Sequence, residues 1–181
     1  GIVISASHNP PADNGFKAFW SDGGQLVAPH DKGVLAKAAA LTEVKSTDYD
    51  EAVAEGRIIS IDPSVDEASI QAVVHQAEGT ERGIKIAYSP LHGAGQTNVL
   101  PSLKAAGFTD ISVVEAQMVP DGNFPTIDNG RPNPEDKAAN DRVVAQMVAE
   151  KADIAITNDP DADRIGVMVR TDDGPVYLTG N

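Results

Sequence analysis

The chain of 181 residues carries 27 acidic against 14 basic side chains, a formal net charge of −13, and its 41% of hydrophobic residues is enough for a packed core, which excludes a disordered, collagen-like or coiled-coil chain. The acidity, with only eight aromatic residues, excludes the basic stacking surface that nucleic acid requires, and the absence of cysteine excludes disulfides, thiolate metal sites and thiol nucleophiles. No apolar run approaches the roughly 20 residues needed to cross a bilayer and no signal peptide stands at the start, so neither nucleic acid nor membrane is an expected partner and the chain reads as cytoplasmic.

In chain order, Gly1 to Ser5 reads as a strand entered without a leading loop or Met, as in a piece cut from a longer chain. A loop rich in Pro and Asn follows, then a strand from Phe16 to Trp20. Asp31 is placed to cap a helix to about Leu41, with Val34, Leu35, Ala38 and Leu41 on one face. Residues 45–57 are polar and poorly patterned. Asp62-Pro63 signals a second helix, with Ile70, Val73, Val74 and Ala77 as its buried stripe, and sets a domain boundary near residue 60. The expected domains are residues 1–60 and 61–181.

From Ile84 the pattern is strand, loop, helix (Thr97 to Ala106, stopped by Gly107) and strand (Ile111 to Val114), a βαβ unit that implies parallel pairing. Asn133-Pro134-Glu135-Asp136 reads as the start of another helix, burying Val144, Met147 and Val148. Strands are predicted at Asp153 to Thr157, Ile165 to Val169 and Pro175 to Leu178. The fold class is therefore α/β, with mixed, largely parallel sheets flanked by helices.

The segment Asn158-Asp159-Pro160-Asp161-Ala162-Asp163-Arg164 follows a strand end and holds three carboxylates at alternate positions, which share a side if the segment is extended. Carboxylates so close repel, and a hard divalent cation bound through oxygen, Mg²⁺ or Ca²⁺, resolves the repulsion; the other reading is a solvated acidic turn. An EF-hand is excluded, because counting from Asp159 its required glycine and glutamate positions hold Arg164 and Arg170. The open coordination positions that remain suit Mg²⁺ shared with a phosphoryl group.

In Ser5-Ala6-Ser7-His8-Asn9-Pro10, Ser7 is the hydroxyl placed just beyond a strand end, where α/β proteins expose ligand-binding groups, whereas Ser5 continues the strand alternation and reads as buried. The same residues also suit a plain turn. His8 is adjacent to Ser7 in sequence, which alone gives no hydrogen-bond geometry. Lys17 opens the returning strand and suits either phosphate and proton handling or an ordinary surface position. Leu91-His92-Gly93-Ala94-Gly95 lies between strand and helix, where glycines serve either an anion or tight packing; it is neither a Walker A loop nor a dinucleotide fingerprint.

Taken together, Ser-Ala-Ser-His-Asn-Pro, Asn-Gly-Phe-Lys, Pro-Leu-His-Gly-Ala-Gly and Asp-Pro-Asp-Ala-Asp-Arg, in this order and spacing, resemble the α-D-phosphohexomutase family, closest to its phosphoglucomutase and phosphopentomutase-like branch. The resemblance covers nearly the whole chain. It implies parts of two consecutive domains of a four-domain enzyme that interconverts sugar 1-phosphate and 6-phosphate through a phosphoserine and a bisphosphate intermediate. Ser7 would be that phosphoserine, with Asp159, Asp161 and Asp163 holding Mg²⁺ together with an oxygen on Ser7. Lys17 would assist proton transfer, and His8 and Arg164 would contact the moving phosphate. Glucose 1,6-bisphosphate is the implied activator and a phosphosugar the implied partner, with the missing domains of the full-length protein as the other. The absent sugar-recognition and distal phosphate loops imply little turnover by the chain alone, and absent strands would leave an unpaired sheet edge within residues 1–57. Ser5 stands where the family more often has threonine. Phosphopentomutase, phosphomannomutase, a phosphatase using the same loops and a non-catalytic divalent-metal module are the alternatives.

Overall fold

A computed structural model describes residues 1–178. They form two units: Gly1–Ile4 with Phe16–Val65, and Ser5–Gly15 with the chain from Asp66 onward. In the first, strands β1 (Ile2–Ile4) and β2 (Phe16–Ala18) pair antiparallel, with Val3 opposite Lys17. Helix α1 (His30–Ala39) buries no residue, so the apolar stripe read from Val34, Leu35, Ala38 and Leu41 does not become a core face here; Leu35 and Leu41 are exposed. Asp31 does not cap it either, because Pro29 occupies the cap and the Asp31 carboxylate accepts the N–H of Lys32. Within residues 45–57, which looked unpatterned, lies a short helix α2 (Tyr49–Ala54), capped by Asp48 accepting the N–H of Glu51. Helix α3 (Ser64–Val74), which from Asp66 onward belongs to the second unit, follows Asp62-Pro63 as expected, but its stripe is shallow, with Val73 exposed and Ile70 and Val74 half-buried.

The second unit is built on a five-stranded sheet in the order β4-β3-β5-β6-β7, comprising β3 (Ile86–Ser89), β4 (Ile111–Val113), β5 (Ile154–Asn158), β6 (Ile165–Thr171) and β7 (Gly174–Leu178). β3 pairs in parallel with both β4 and β5, while β6 and β7 add antiparallel strands on the far side of β5. The sheet is therefore mixed, with the expected βαβ unit β3-α4-β4 at one side. Helix α4 (Gly95–Ala105) begins two residues before the predicted start.

Side-chain alternation along the strands sorts the core into two layers. Ile86, Tyr88 and Ile156 point to one face and pack with Val99 and Leu100 of α4 and with Phe108. Ala87, Ala155 and Met168 point to the other and pack with Val143 and Met147 of helix α5 (Lys137–Glu150). Alanine at both strand positions lets those larger helix side chains approach the sheet.

Helix α5 starts later than Asn133 suggests. The Asn133 side chain instead accepts the N–H of Glu135, and the Pro134 carbonyl is turned toward the buried Asn140 side chain, which donates to it at 2.7 Å. The shift in register buries Val143 and Met147 and leaves Val148 exposed, while Val144 is partly buried. Among the described residues no helix is long and apolar enough to cross a membrane.

Candidate metal and phosphoryl-transfer site

β5 is flanked on both sides by paired strands, and its end buries Thr157, Asn158 and Asp159. The chain then turns rather than running on extended. The Ala162 N–H donates to the Asp159 carbonyl at 2.9 Å and Ala162 adopts a φ of +60°. The turn, and not the alternation assumed from sequence, is what gathers the carboxylates. One oxygen from each of Asp159, Asp161 and Asp163 lies within 4.8 Å of the others, with Asp159 buried, Asp161 half-buried and Asp163 exposed.

The turn is held from three sides. Asn158 Nδ2 donates to the Arg164 carbonyl at 2.7 Å, and the Arg164 N–H donates to Asp159 Oδ1 at 2.9 Å. From the β3-α4 loop, the Ala94 N–H donates to the Pro160 carbonyl at 2.8 Å. Beside it, a Cβ on Gly93 would lie 2.2 Å from the Pro160 Cα, so two backbones meet where no side chain fits. Of the two readings of the glycine loop, the structure carries tight packing.

His92 belongs to that scaffold and not to the chemistry. It is buried, its Nδ1–H donates to the Val119 carbonyl at 3.0 Å, and Nε2 accepts from Thr126 Oγ1 at 2.9 Å, the tautomer following from a carbonyl that can only accept. Thr126 also accepts from Gln117 Nε2, whose Oε1 accepts from Ser89 Oγ, so a continuous polar chain ties the 119–126 loop beneath the glycine loop.

The serine loop meets this turn. Ser7, at a φ of +52°, donates its hydroxyl to Asp159 Oδ2 at 2.6 Å. His8 Nδ1 lies 3.2 Å from Ser7 Oγ. Since the single Ser7 hydroxyl proton is directed to Asp159, the His8 ring nitrogen is the donor in that contact. The contact between sequence neighbours arises from the left-handed backbone at Ser7, which sequence gave no means of anticipating. Ser5 does not merely fill a strand face: its Oγ donates to Asp161 Oδ2 at 2.9 Å and accepts the Ser7 N–H at 2.9 Å.

Arg164 joins the site through its backbone, its side chain being exposed. Lys17 lies in β2 of the other unit, opposite Val3.

Burial and the neighbouring Asp161 push the Asp159 carboxyl up to about 6, while hydrogen bonds from Ser7 and the Arg164 N–H pull the other way. A buried carboxylate that resists ionisation, two further carboxylates and a hydroxyl converging on one point form an all-oxygen donor set, which can hold a hard divalent cation.

A family model described as phosphoglucomutase/phosphomannomutase, alpha/beta/alpha domain II, matches residues 67–174, and one described as domain I of the same enzymes matches residues 1–45. The chain belongs to the phosphoglucomutase/phosphomannomutase family. It is 35% identical over 93% of its length to a probable phosphomannomutase of Haemophilus influenzae, covering 34% of that protein. It is 33% identical over 96% of its length to the phosphopentomutase of Homo sapiens, covering 29% of it, and 32% identical over its full length to a phosphoglucomutase of Staphylococcus aureus, covering 33%. The chain thus spans about a third of the length of the curated relatives it matches. A solved structure of a phosphomannomutase-like protein from Thermus thermophilus superposes with a TM-score of 0.70 at 22% identity, covering 93% of this chain and 36% of that one. A family protein from Burkholderia thailandensis gives 0.67 at 24%, covering 98% of this chain and 34% of that one. Both show the same fold.

Proposed function

We propose that the chain carries the phosphoserine and cation half of an intramolecular phosphotransferase of phosphoglucomutase type, acting between sugar 1-phosphate and 6-phosphate. Residues 1–60 and 61–181 are read as parts of its first and second domains, in the cytoplasm. The observation that carries the proposal is the 2.6 Å hydrogen bond from Ser7 Oγ to Asp159 within the carboxylate cluster. It puts the Ser7 hydroxyl, the candidate phosphoryl carrier, against the carboxylate set that, among the described residues, could hold a cation.

In the proposed cycle the bond from phosphorus to Ser7 Oγ breaks as a sugar hydroxyl oxygen bonds to phosphorus, and the hydroxyl proton passes to a base, for which Lys17 is the candidate. The bisphosphate so formed returns its other phosphoryl group to Ser7 Oγ, which restores the carrier. When bound by Asp159, Asp161, Asp163 and an oxygen on Ser7, Mg²⁺ supplies positive charge to the phosphoryl oxygens during transfer. His8, as a ring N–H donor beside Ser7 Oγ, stabilises the developing charge there, and Arg164 adds a second cation at the rim. Glucose 1,6-bisphosphate is the proposed activator because it can load Ser7 directly.

The names of the relatives favour mannose and pentose phosphates as alternative substrates. The test is an assay of a full-length protein containing this sequence. A mutase returns sugar 6-phosphate from sugar 1-phosphate without releasing inorganic phosphate, and needs bisphosphate. Steady phosphate release in place of isomerisation contradicts the proposal and favours a phosphatase.

A further inference from the structure

We infer that Ser5 is a positioning residue whose single hydroxyl locks the nucleophile turn to the cation loop. The inference rests on the proposed roles of Ser7 and the carboxylate cluster and adds a residue to them. A serine hydroxyl has one proton to give and lone pairs to accept with. Here the proton goes to Asp161 Oδ2 and a lone pair takes the Ser7 N–H, both at 2.9 Å.

The two bonds do different things. Ser7 holds a left-handed φ of +52°, a backbone that disfavours any residue with a Cβ and persists only where surroundings hold it. The Ser5 acceptor is one such support, and it acts on the peptide next to the reacting hydroxyl. The Ser5 donor fixes the plane of the Asp161 carboxylate within the cluster. Ser5 itself is anchored: its N–H donates to the Gly15 carbonyl at 3.1 Å, and a Cβ on Gly15 would lie 1.9 Å from the Ser5 carbonyl oxygen. A hydroxyl on a clamped backbone, bonded to both loops, transmits the position of one to the other.

Three variants isolate the hydroxyl: Ser5→Ala, and the pair Ser5→Thr and Ser5→Val, which match in shape and differ in the oxygen. Three readouts are taken on the 181-residue chain: hydrogen exchange of the Ser7 amide without cation, Mg²⁺ affinity by calorimetry, and phosphoryl uptake on Ser7 from glucose 1,6-bisphosphate. Ser5→Ala and Ser5→Val speed Ser7 amide exchange by roughly tenfold and weaken Mg²⁺ binding by roughly three- to tenfold, the effect of losing one hydrogen bond at each end. Ser5→Thr stays within about twofold of the parent in both, and the Asn9 amide, bonded to the Ala6 carbonyl, is unaffected in all three. Should Ser5→Ala not fold, the Thr and Val pair decides. Equal exchange and equal affinity in Thr and Val variants overturns the inference. If the exchange and affinity effects appear while a full-length protein containing this sequence takes up no phosphoryl group from glucose 1,6-bisphosphate, the phosphotransferase reading fails and the positioning role of Ser5 stands.

Discussion

Ser7 Oγ donates to Asp159 Oδ2 at 2.6 Å, joining two residues 152 positions apart in the chain. This bond is one of the influences that lower the Asp159 carboxyl against its burial. Ser7→Ala removes it, so the Asp159 carboxyl rises above about 6 and the pH at which a divalent cation binds half as tightly moves upward. Calorimetric titration of Mg²⁺ into both chains between pH 5 and 8 measures the shift. A Ser7→Ala profile that coincides with the parent's contradicts the coupling.

The raised Asp159 carboxyl also sets the pH dependence of the parent chain. Below about 6 the carboxyl is protonated and a cation must displace the proton, so affinity falls as pH drops from 7 to 5 and levels off above 7. For the cation-free chain the sign is fixed by linkage. A carboxyl whose folded value lies above its unfolded value of 3.8 contributes stability that is complete below 3.8 and lost as pH rises through about 6. Mg²⁺ offsets that loss, so the gap in urea midpoint between Mg²⁺ and chelator widens from pH 5 to pH 7.

Gly93→Ala puts a methyl group 2.2 Å from the Pro160 Cα and forces the β3-α4 loop away from the cation turn. We expect a loss on the order of 2 kcal/mol in stability, with weaker Mg²⁺ binding alongside. Gly83→Ala, where nothing lies within 4 Å, is the control and leaves both within experimental error. Denaturant melts and calorimetry on the two variants separate a steric effect from a general loss of glycine.

Asn140 is buried beneath the site, donating to the Pro134 and Asp136 carbonyls and accepting from Thr157 Oγ1 at 2.8 Å. Asn140→Ala strands three polar groups, and a loss of roughly 2–4 kcal/mol is expected in a urea melt. Since Thr157 precedes Asn158 at the end of β5 and Asp159 follows directly, Mg²⁺ affinity falls in the same variant.

The parts of the fold legible in the sequence are those written as local period and punctuation. The β3-α4-β4 unit and the strand ahead of Asp159 follow from apolar runs closed by loop residues, and the three carboxylates of the acidic loop are plain in the sequence, though the turn at Ala162 and not their alternation brings them together. What escaped depends on a partner far away or on backbone hand. Ser5 looked like an alternating strand residue because its two bonding partners, Asp161 and the Ser7 N–H, become neighbours only when the loops fold together. His8 reaches Ser7 through a left-handed residue that no composition signals. Gly93 could be read two ways until Pro160 was opposite it. Helix α2 did leave a signal, Asp48 three residues ahead of Glu51, which is the spacing of an N-terminal cap before a short helix. The stripe of α1 was periodic, yet periodicity cannot say whether a face is covered, and here Leu35 is exposed.

The central claim is that Ser7 is a phosphoryl carrier held against a cation site. The most direct measurement is intact and peptide mass of the folded chain after incubation with glucose 1,6-bisphosphate, with and without Mg²⁺. The account predicts the gain of one phosphoryl group, dependent on Mg²⁺, mapped to Ser7 and absent from Ser7→Ala. A full-length protein containing this sequence that gains no phosphoryl group under those conditions, or gains it at a residue other than Ser7, contradicts it.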